Sequence, residues 1–269
     1  EKSIRQYQVL RILGQGGMGT TYLARDQESH NLQGMATSPA TALVVLKEMN
    51  ADMAQIRKAQ ELFEREAKAL KSLSHPGIPK FFDFFVEEDK KYLAMEMIHG
   101  QDLEKRIVTQ GPILPQQAIE WMIQTCEVLA YIHSQDPPLI HRDIKPANLL
   151  VRRHNNQMVV LDFGAVKEIG TPLGTRIGAE GYSAPEQDRG QPLTQSDLYA
   201  VGATLIFLLT AKSPMHFYSN HGNGYRFYIE SVPTITPQLR EVIEKVTQPL
   251  PSDRYKTASA LAEALKGCL

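Results

Sequence analysis

The sequence has little cysteine, no excess of charge of either sign and no long apolar run, and each shortage excludes a class of protein. Cys126 and Cys268 are the only cysteines among 269 residues and no CxxC spacing joins them, so neither a disulfide framework nor a zinc site is written here. A reducing cytosol is the default expectation. With 29 basic against 30 acidic side chains the net charge is −1. That balance argues against a nucleic-acid surface or a polybasic membrane patch, both of which need concentrated positive charge. The short cluster Arg152-Arg153-His154 reads as a solvated turn. The longest apolar run, Ala200 to Leu209, is about half of the ~20 residues that cross a bilayer and reads as a buried helix. Glu1-Lys2-Ser3 carries neither an initiator methionine nor a signal peptide, so the chain is expected to be a fragment of a longer protein, with room beyond it for an anchor or a sensor. No GxSxG or HExxH occurs, which removes those hydrolase readings, and there is no internal repeat.

What the chain does have is a globular composition, 42% hydrophobic, in a length that suits one large two-part unit. Tyr7 to Leu13, Thr20 to Ala24 and Leu43 to Leu46 are rich in β-branched and aromatic residues broken by glycines, and predict a small antiparallel sheet. The polar stretch from Gln27 to Ala42 is long for a hairpin loop and is expected to be mobile. Met53, Ile56, Phe63, Ala67, Leu70 and Leu73 recur at helical spacing, after which Phe81 to Val86 and Tyr92 to Met97 return to strand character. Beyond His99-Gly100 the pattern is mostly helical, at Ile119 to His133, Leu198 to Leu209, Gln238 to Val246 and Ala258 to Leu265, with short strands near Leu149 to Val151 and Val159 to Leu161. The fold class predicted is α+β, with a β-rich half over residues 1–96, a linker near 96–102 and a helical half over 97–269.

Three groups of residues carry chemistry. Gly14-Gln15-Gly16-Gly17-Met18-Gly19 is a GxGxxG, weak alone, but Thr20-Thr21-Tyr22-Leu23 continues it as a strand, where a Walker loop needs Lys and a dinucleotide fingerprint leads into a helix. A glycine hairpin between strands can lay backbone N–H groups over a triphosphate. Lys47 ends the apolar stretch Val44-Val45-Leu46, and an edge lysine reaching water is the bland alternative. Glu66 has only apolar residues three and four positions away (Leu62, Phe63, Ala69, Leu70), so a Lys47–Glu66 ion pair is expected, since a carboxylate facing a core needs a cation. Finally, His141 to Asn148 packs His141, Arg142, Asp143, Lys145 and Asn148 between apolar flanks, and the strand Val159-Val160-Leu161 ends in Asp162-Phe163-Gly164. One acid can orient a hydroxyl nucleophile while the other, with Asn148, holds Mg²⁺ against phosphate oxygens.

At this point the chain resembles the eukaryotic-type protein kinases, and within them the bacterial serine/threonine kinases. The likeness covers residues 7–266. It runs through Gly14 to Gly19, Lys47 with Glu66, Glu96 to Ile98, His141 to Asn148, Asp162-Phe163-Gly164 and Ala184-Pro185-Glu186. It implies one bilobal catalytic domain that uses ATP and Mg²⁺ to phosphorylate serine or threonine hydroxyls of protein substrates, itself included. It implies that Lys47 contacts the α and β phosphates, Asp143 orients the acceptor, Lys145 steadies the γ-phosphate, and Asn148 and Asp162 bind the metal. Gly14, Gln15, Gly16, Gly17, Gly19, Thr21, Val45 and Leu150 would then surround the nucleotide, with Met95 as gatekeeper, Glu96 and Ile98 meeting adenine and Asp102 near the ribose. The same likeness stacks Leu70, Phe81, His141 and Phe163 over Asp197, pairs Glu186 with Arg254, and takes Lys145 as the mark of a serine/threonine acceptor. No nucleic-acid or membrane contact is expected within the fragment, which is placed in the cytoplasm, alone or as the cytoplasmic part of a membrane-anchored protein; the oligomeric state is left open.

Three departures stand against the family pattern. Ala179 replaces a Thr whose hydroxyl bridges the catalytic Asp and Lys, Val45 replaces a small Ala above the adenine while Thr21 replaces Val, and Tyr199 stands where Trp is common. Ala179 and Val45 keep open the alternative of a weakened or inactive kinase-fold module that binds nucleotide and acts by its shape. Thr171 and Thr175 are candidate phosphorylation sites whose phosphate could pair with Arg142.

Overall fold

The computed structural model describes residues 2–17, 19–28, 43–164 and 178–269, and all of their side chains except those of residues 62 and 63. Most of the expected loop before Ala42, and both Thr171 and Thr175, lie outside the described residues. The described residues divide into two compact units. One comprises the chain up to Ser74 together with Pro79–Ile98, and the other takes His75–Ile78 and the chain from His99 onward.

The first unit is built on a six-stranded antiparallel sheet of β1 (Ser3–Ile4), β2 (Tyr7–Gly16), β3 (Gly19–Asp26), β4 (Leu43–Asn50), β5 (Phe81–Glu87) and β6 (Lys90–Glu96), in the order β1-β2-β3-β4-β6-β5. Side chains alternate between faces along each strand, so the register decides which residues can act together. On one face Tyr7, Tyr22, Val44, Leu46, Phe85, Tyr92 and Ala94 form a buried cluster, with Phe85 stacked on Tyr92 at 5.0 Å. Thr21 pairs with Lys47, Lys47 with Leu93 and Val45 with Met95. Directly paired residues share a face, and Val45 and Lys47 alternate with Val44 and Leu46, so Thr21, Val45, Lys47 and Met95 belong to the face opposite that cluster.

The helical spacing over 53–73 is realised as two helices, α1 (Met53–Lys58) and α2 (Gln60–Ser72). Asp52 caps the first by accepting from the amides of Ala54 and Gln55, and the amide of Ala59 closes it on the carbonyls of Gln55 and Ile56.

The second unit holds a small sheet in the order β7-β8-β9, from Gly100–Asp102, Leu149–Arg152 and Met158–Val160. Its helices are α3 (Leu103–Gln110), α4 (Pro115–His133), α5 (Pro185–Asp188), α6 (Thr194–Thr210), α7 (Pro237–Val246) and α8 (Ala258–Lys266). The apolar run expected to be a buried helix is α6, whose residues from Ser196 to Ile206 are all buried. A helix hydrophobic all round belongs in a core. Here it packs on α4 and α7, and Gly202 permits the second contact, because a Cβ there would stand 2.5 Å from Val246 Cγ1. Among the described residues no helix is long and apolar enough to cross a membrane. A hairpin of β10 (Tyr218–Asn220) and β11 (Tyr225–Phe227) covers Tyr199, with ring centroids of Tyr199 and Phe227 5.9 Å apart.

Glu186 and Arg254 pair as expected, at 2.8 and 2.9 Å through both carboxylate oxygens, with the Arg254 side chain fully buried. Ser196 Oγ donates to the same carboxylate, and the other Arg254 donors reach the carbonyls of Gln248, Gln195 and Pro249. Every strong donor and acceptor is matched, which is the condition for burying a charge pair.

At the edge of the aromatic cluster the buried Glu48 accepts from Lys90 at 3.0 Å, Tyr92 at 2.9 Å and Tyr22 at 3.3 Å. Burial pushes its carboxyl up, but the bonds from Lys90 and Tyr92 and the charges of Lys2 and Lys90 outweigh burial and hold it below the ordinary carboxylate value. A depressed folded value means stabilisation that is present above the unfolded pKa and lost as pH falls through the folded one. Glu48→Gln should therefore lower stability by about 1–3 kcal/mol at neutral pH. In thermal melts from pH 7 down to pH 3, its deficit in Tm against the unchanged protein should shrink toward zero.

Candidate active site

The candidate site residues of the second unit are arranged around one buried carboxylate. Asp197, near the N-terminal end of α6 and 1% exposed, accepts the backbone N–H of His141 at 2.9 Å through Oδ2 and that of Arg142 at 2.9 Å through Oδ1. His133, at the end of α4, adds a 2.7 Å bond to Oδ2. Burial raises the Asp197 carboxyl, yet the His133 hydrogen bond and the nearby His133 and His141 rings, with the Arg142 amide, hold it below its ordinary value. It stays an anion and an acceptor. Arg142 is held in the left-handed region at φ 74, where a residue with a Cβ is strained, and Gln187 Nε2 donates to its carbonyl from the other side.

That clamp sets the turn that follows. The amide of Asp143 donates to His141 Nδ1 at 3.1 Å, which makes Nε2 the protonated nitrogen, and Nε2 donates to the carbonyl of Leu161 at 2.7 Å. The ring of His141 also lies 4.6 Å from that of Phe163, and the Gly164 amide returns to the His141 carbonyl at 2.7 Å. One histidine therefore ties the 141–148 segment to Asp162-Phe163-Gly164. Leu70 and Phe81, the other members of the expected stack, are each buried in the first unit.

Asn148 spends its amide group on Asp143, donating to the carbonyl at 2.8 Å and to Oδ2 at 3.0 Å. Its Oδ1 is thereby left to accept. The amide of Leu161 bonds to the Asn148 carbonyl at 2.8 Å, which brings Asp162, the next residue, beside Asn148. Asp162 itself sits at φ 57. Lys145 Nζ lies 3.9 Å from Asp143 Oδ1. Asn148, Asp143 and Asp162 offer only oxygen donors, the kind that suits Mg²⁺. Asp102 and Leu150 are direct partners across β7 and β8, and Asp102 also caps α3 by accepting from the Lys105 amide at 2.8 Å.

The departure at Ala179 falls next to this cluster. Its carbonyl accepts from the amides of Tyr182 and Ser183, and Gly178, at φ 100, leaves space that a Cβ would dispute with Gln187 Nε2, 3.0 Å away.

In the first unit, the Gly14–Gly19 hairpin pairs Gly16 with Gly19. Gly19 is required by packing, since at φ 144 a Cβ would fall 1.9 Å from the Glu48 carbonyl oxygen. A Cβ at Gly14, Gly16 or Gly17 would meet nothing within 4 Å, so glycine there leaves room in front of the hairpin. Glu96 and Ile98 lie half-buried at the end of β6, and the Glu96 amide bonds to the Lys80 carbonyl at 2.8 Å. The expected Lys47–Glu66 ion pair is not formed. Glu66 is only half-buried on α2 and has no ion-pair partner among the described residues. Its carboxylate reaches water, and the desolvation that would have demanded a cation does not arise.

Two positioning residues were not singled out in the sequence. His133 closes a helix that reads as plain core, and Gln187 follows Glu186 with no local signal. Both act through partners more than forty positions away.

Residues 7–265 match the protein kinase domain model. The chain is 34% identical to serine/threonine-protein kinase B of Synechocystis sp. over 97% of its own length and 46% of that protein's. It is 33% identical to serine/threonine-protein kinase PknA of Nostoc sp., over 97% and 47%. The chain thus spans about half the length of these curated relatives. The solved kinase domain of Mycobacterium tuberculosis PknI superposes with a TM-score of 0.77 at 22% identity, covering 100% of this chain and 98% of that one, which supports the fold.

Asp197→Asn puts an NH₂ against either the Arg142 amide or both the His141 amide and the His133 ring. The expected loss is on the order of 3–5 kcal/mol in urea unfolding. A loss below 1 kcal/mol would show that the clamp is not under strain.

Proposed function

The chain belongs to the protein kinase family, and from that premise we propose that it is the catalytic domain of a serine/threonine kinase that moves the γ-phosphoryl group of ATP to protein hydroxyls, its own included. The observation that carries this reading is the Asp143–Asn148–Asp162 cluster, with Asn148 Oδ1 left as an acceptor. The open space before Gly14, Gly16 and Gly17 supports it as well. Asn148 and Asp162 would hold Mg²⁺, which when bound supplies positive charge against the phosphate oxygens.

Asp143 orients the acceptor hydroxyl and takes its proton as the new P–O bond forms and the bond to the β-phosphate breaks. Lys145 and Lys47 supply cationic donors to the phosphates, and the backbone of Gly14 to Gly19, with Gln15, covers them. Thr21, Val45, Met95 and Leu150 enclose the base, with Glu96 and Ile98 giving it backbone partners and Asp102 meeting the ribose. The acceptor choice of serine or threonine rests on Lys145. This reading sets the chain in the cytoplasm, where ATP is at hand and the thiols of Cys126 and Cys268 stay reduced.

A second reading has specific support. Lys47 and Glu66 do not pair, and Ala179 lacks a hydroxyl. A protein kinase needs its Lys–Glu pair in place for turnover. In this reading the chain is a weakened module that binds nucleotide without efficient transfer.

Labelled ATP with Mg²⁺, offered to the protein and to a generic basic substrate, separates the two. On the first reading label appears on serine or threonine, and both Asp143→Asn and Asp162→Ala cut the rate by about 10²–10⁴-fold. Label that requires Ala179→Thr assigns the chain to the second reading, and ATP binding with no label in any variant excludes transfer. On either reading Ala179→Thr should raise the rate.

A further inference from the structure

The Arg152-Arg153-His154 turn takes no part in the proposed phosphotransfer site. It borders a cavity of about 470 Å³ in the second unit, lined by Gly100, Gln101, Arg106, Arg152, Arg153 and Asn156. Three arginines from two separate stretches of chain line it, and no carboxylate is among the lining residues. None of the three arginines is ion-paired among the described residues. In a chain of net charge −1, three cations around one cavity without a counter-charge are a local excess.

Each wall is held by the fold. Arg106, on α3, lies over the ring of the fully buried Trp121 at 4.9 Å. Arg152 reaches the Pro76 carbonyl at 3.4 Å, and the Arg153 amide bonds to the His99 carbonyl at 3.1 Å. Gly100 pairs with Arg152, and only glycine fits there, because a Cβ would stand 2.2 Å from the Val151 carbonyl oxygen. Asn156 donates to Gln117 Oε1 at 3.3 Å, and Gln117 Nε2, shielded from solvent, is a donor with no partner.

We propose that this cavity binds a phosphorylated serine or threonine segment of a partner protein, with the phosphate between Arg106, Arg152 and Arg153. Guanidinium forks match phosphate oxygens two at a time, which favours phosphate over a point-like anion. The volume exceeds what a lone oxyanion fills and falls in the range of ligand pockets, so the residue that carries the phosphate enters too. No aromatic side chain lines the cavity to stack a base, which disfavours a nucleotide. Gly100 and Gln101 belong to β7, an edge strand, which offers backbone groups to an extended peptide. The choice of phosphoserine or phosphothreonine rests on the phosphotransfer reading, since that is its product; the cavity itself does not.

The test is fluorescence anisotropy with a labelled phosphothreonine peptide and its unphosphorylated twin, using Asp143→Asn protein so that binding is read without any transfer. Phosphorylated peptide should bind at least about tenfold tighter. Arg152→Gln/Arg153→Gln should weaken it about tenfold or more, with an unchanged melting temperature and, in the Asp143 background, unchanged label transfer. Arg106→Lys, which keeps charge but loses the fork, should weaken it too. Inorganic phosphate should displace the peptide. Equal affinity for both peptides, or binding unmoved by the double variant, overturns the proposal. So does an RNA or an anionic vesicle that competes better than the phosphopeptide, because the arginines would then be a general polyanion patch. Absence of label transfer with phosphopeptide binding intact would fault the kinase reading alone.

Discussion

The carboxylate of Asp197 is the constraint on which the second unit's site depends. It meets two consecutive backbone amides and an imidazole while only 1% exposed. An unpaired buried amide is costly, so the segment at His141 and Arg142 is held to one conformation, and the strain at Arg142 persists because the surroundings over-determine it. From that fixed point the chain reaches Asp143, and His141 carries the same constraint to Leu161 and Phe163. The candidate site is therefore positioned by groups outside it, Asp197, His133 and Gln187. This is how a site holds its geometry on loops: the loops are anchored to a helix that cannot move without opening the core.

The same logic recurs at Glu186 and Arg254. A planar guanidinium with its donors matched to a carboxylate and several carbonyls is a rigid joint, and it ties α5 to the chain just before α8. In the first unit Glu48 performs the comparable service at the edge of the aromatic face, leaving the opposite face to Thr21, Val45, Lys47 and Met95. The buried carboxylates of Glu48, Glu186 and Asp197 each meet cationic or N–H donors, whereas the arginines around the β7–β8 cavity have no carboxylate among the residues that line it.

Much of this was legible in the sequence, for identifiable reasons. Strands and helices with strong periodicity, such as Phe81 to Val86 and Leu198 to Leu209, were readable because burial on one face or all round leaves its mark in spacing. The run from His141 to Asn148 was readable as a candidate site because so many polar residues between apolar flanks have few bland explanations. Helix α3 was passed over although Asp102 and Gly111 are fair start and stop signals, since its apolar face is only Leu103 and Ile107. The hairpin at 218–227 leaves little trace because its strands are three residues each and its turn, His221-Gly222-Asn223-Gly224, is longer than the two-residue loop that marks a hairpin most clearly. Glu66 was misread because apolar neighbours along a helix do not tell how far the helix face is covered.

The sequence by itself determined the strongly periodic strands and helices, the alternation that puts Lys47 opposite the aromatic cluster, and the candidate site residues. Only the tertiary structure decided that Asp197 clamps the strained turn, that Glu66 stands without Lys47, and that Arg106 joins Arg152 and Arg153 around one cavity. The reason is range. Local pattern records what each residue needs from its surroundings, burial or water, whereas a hydrogen bond between residues more than fifty positions apart is fixed by packing that no single stretch of chain encodes.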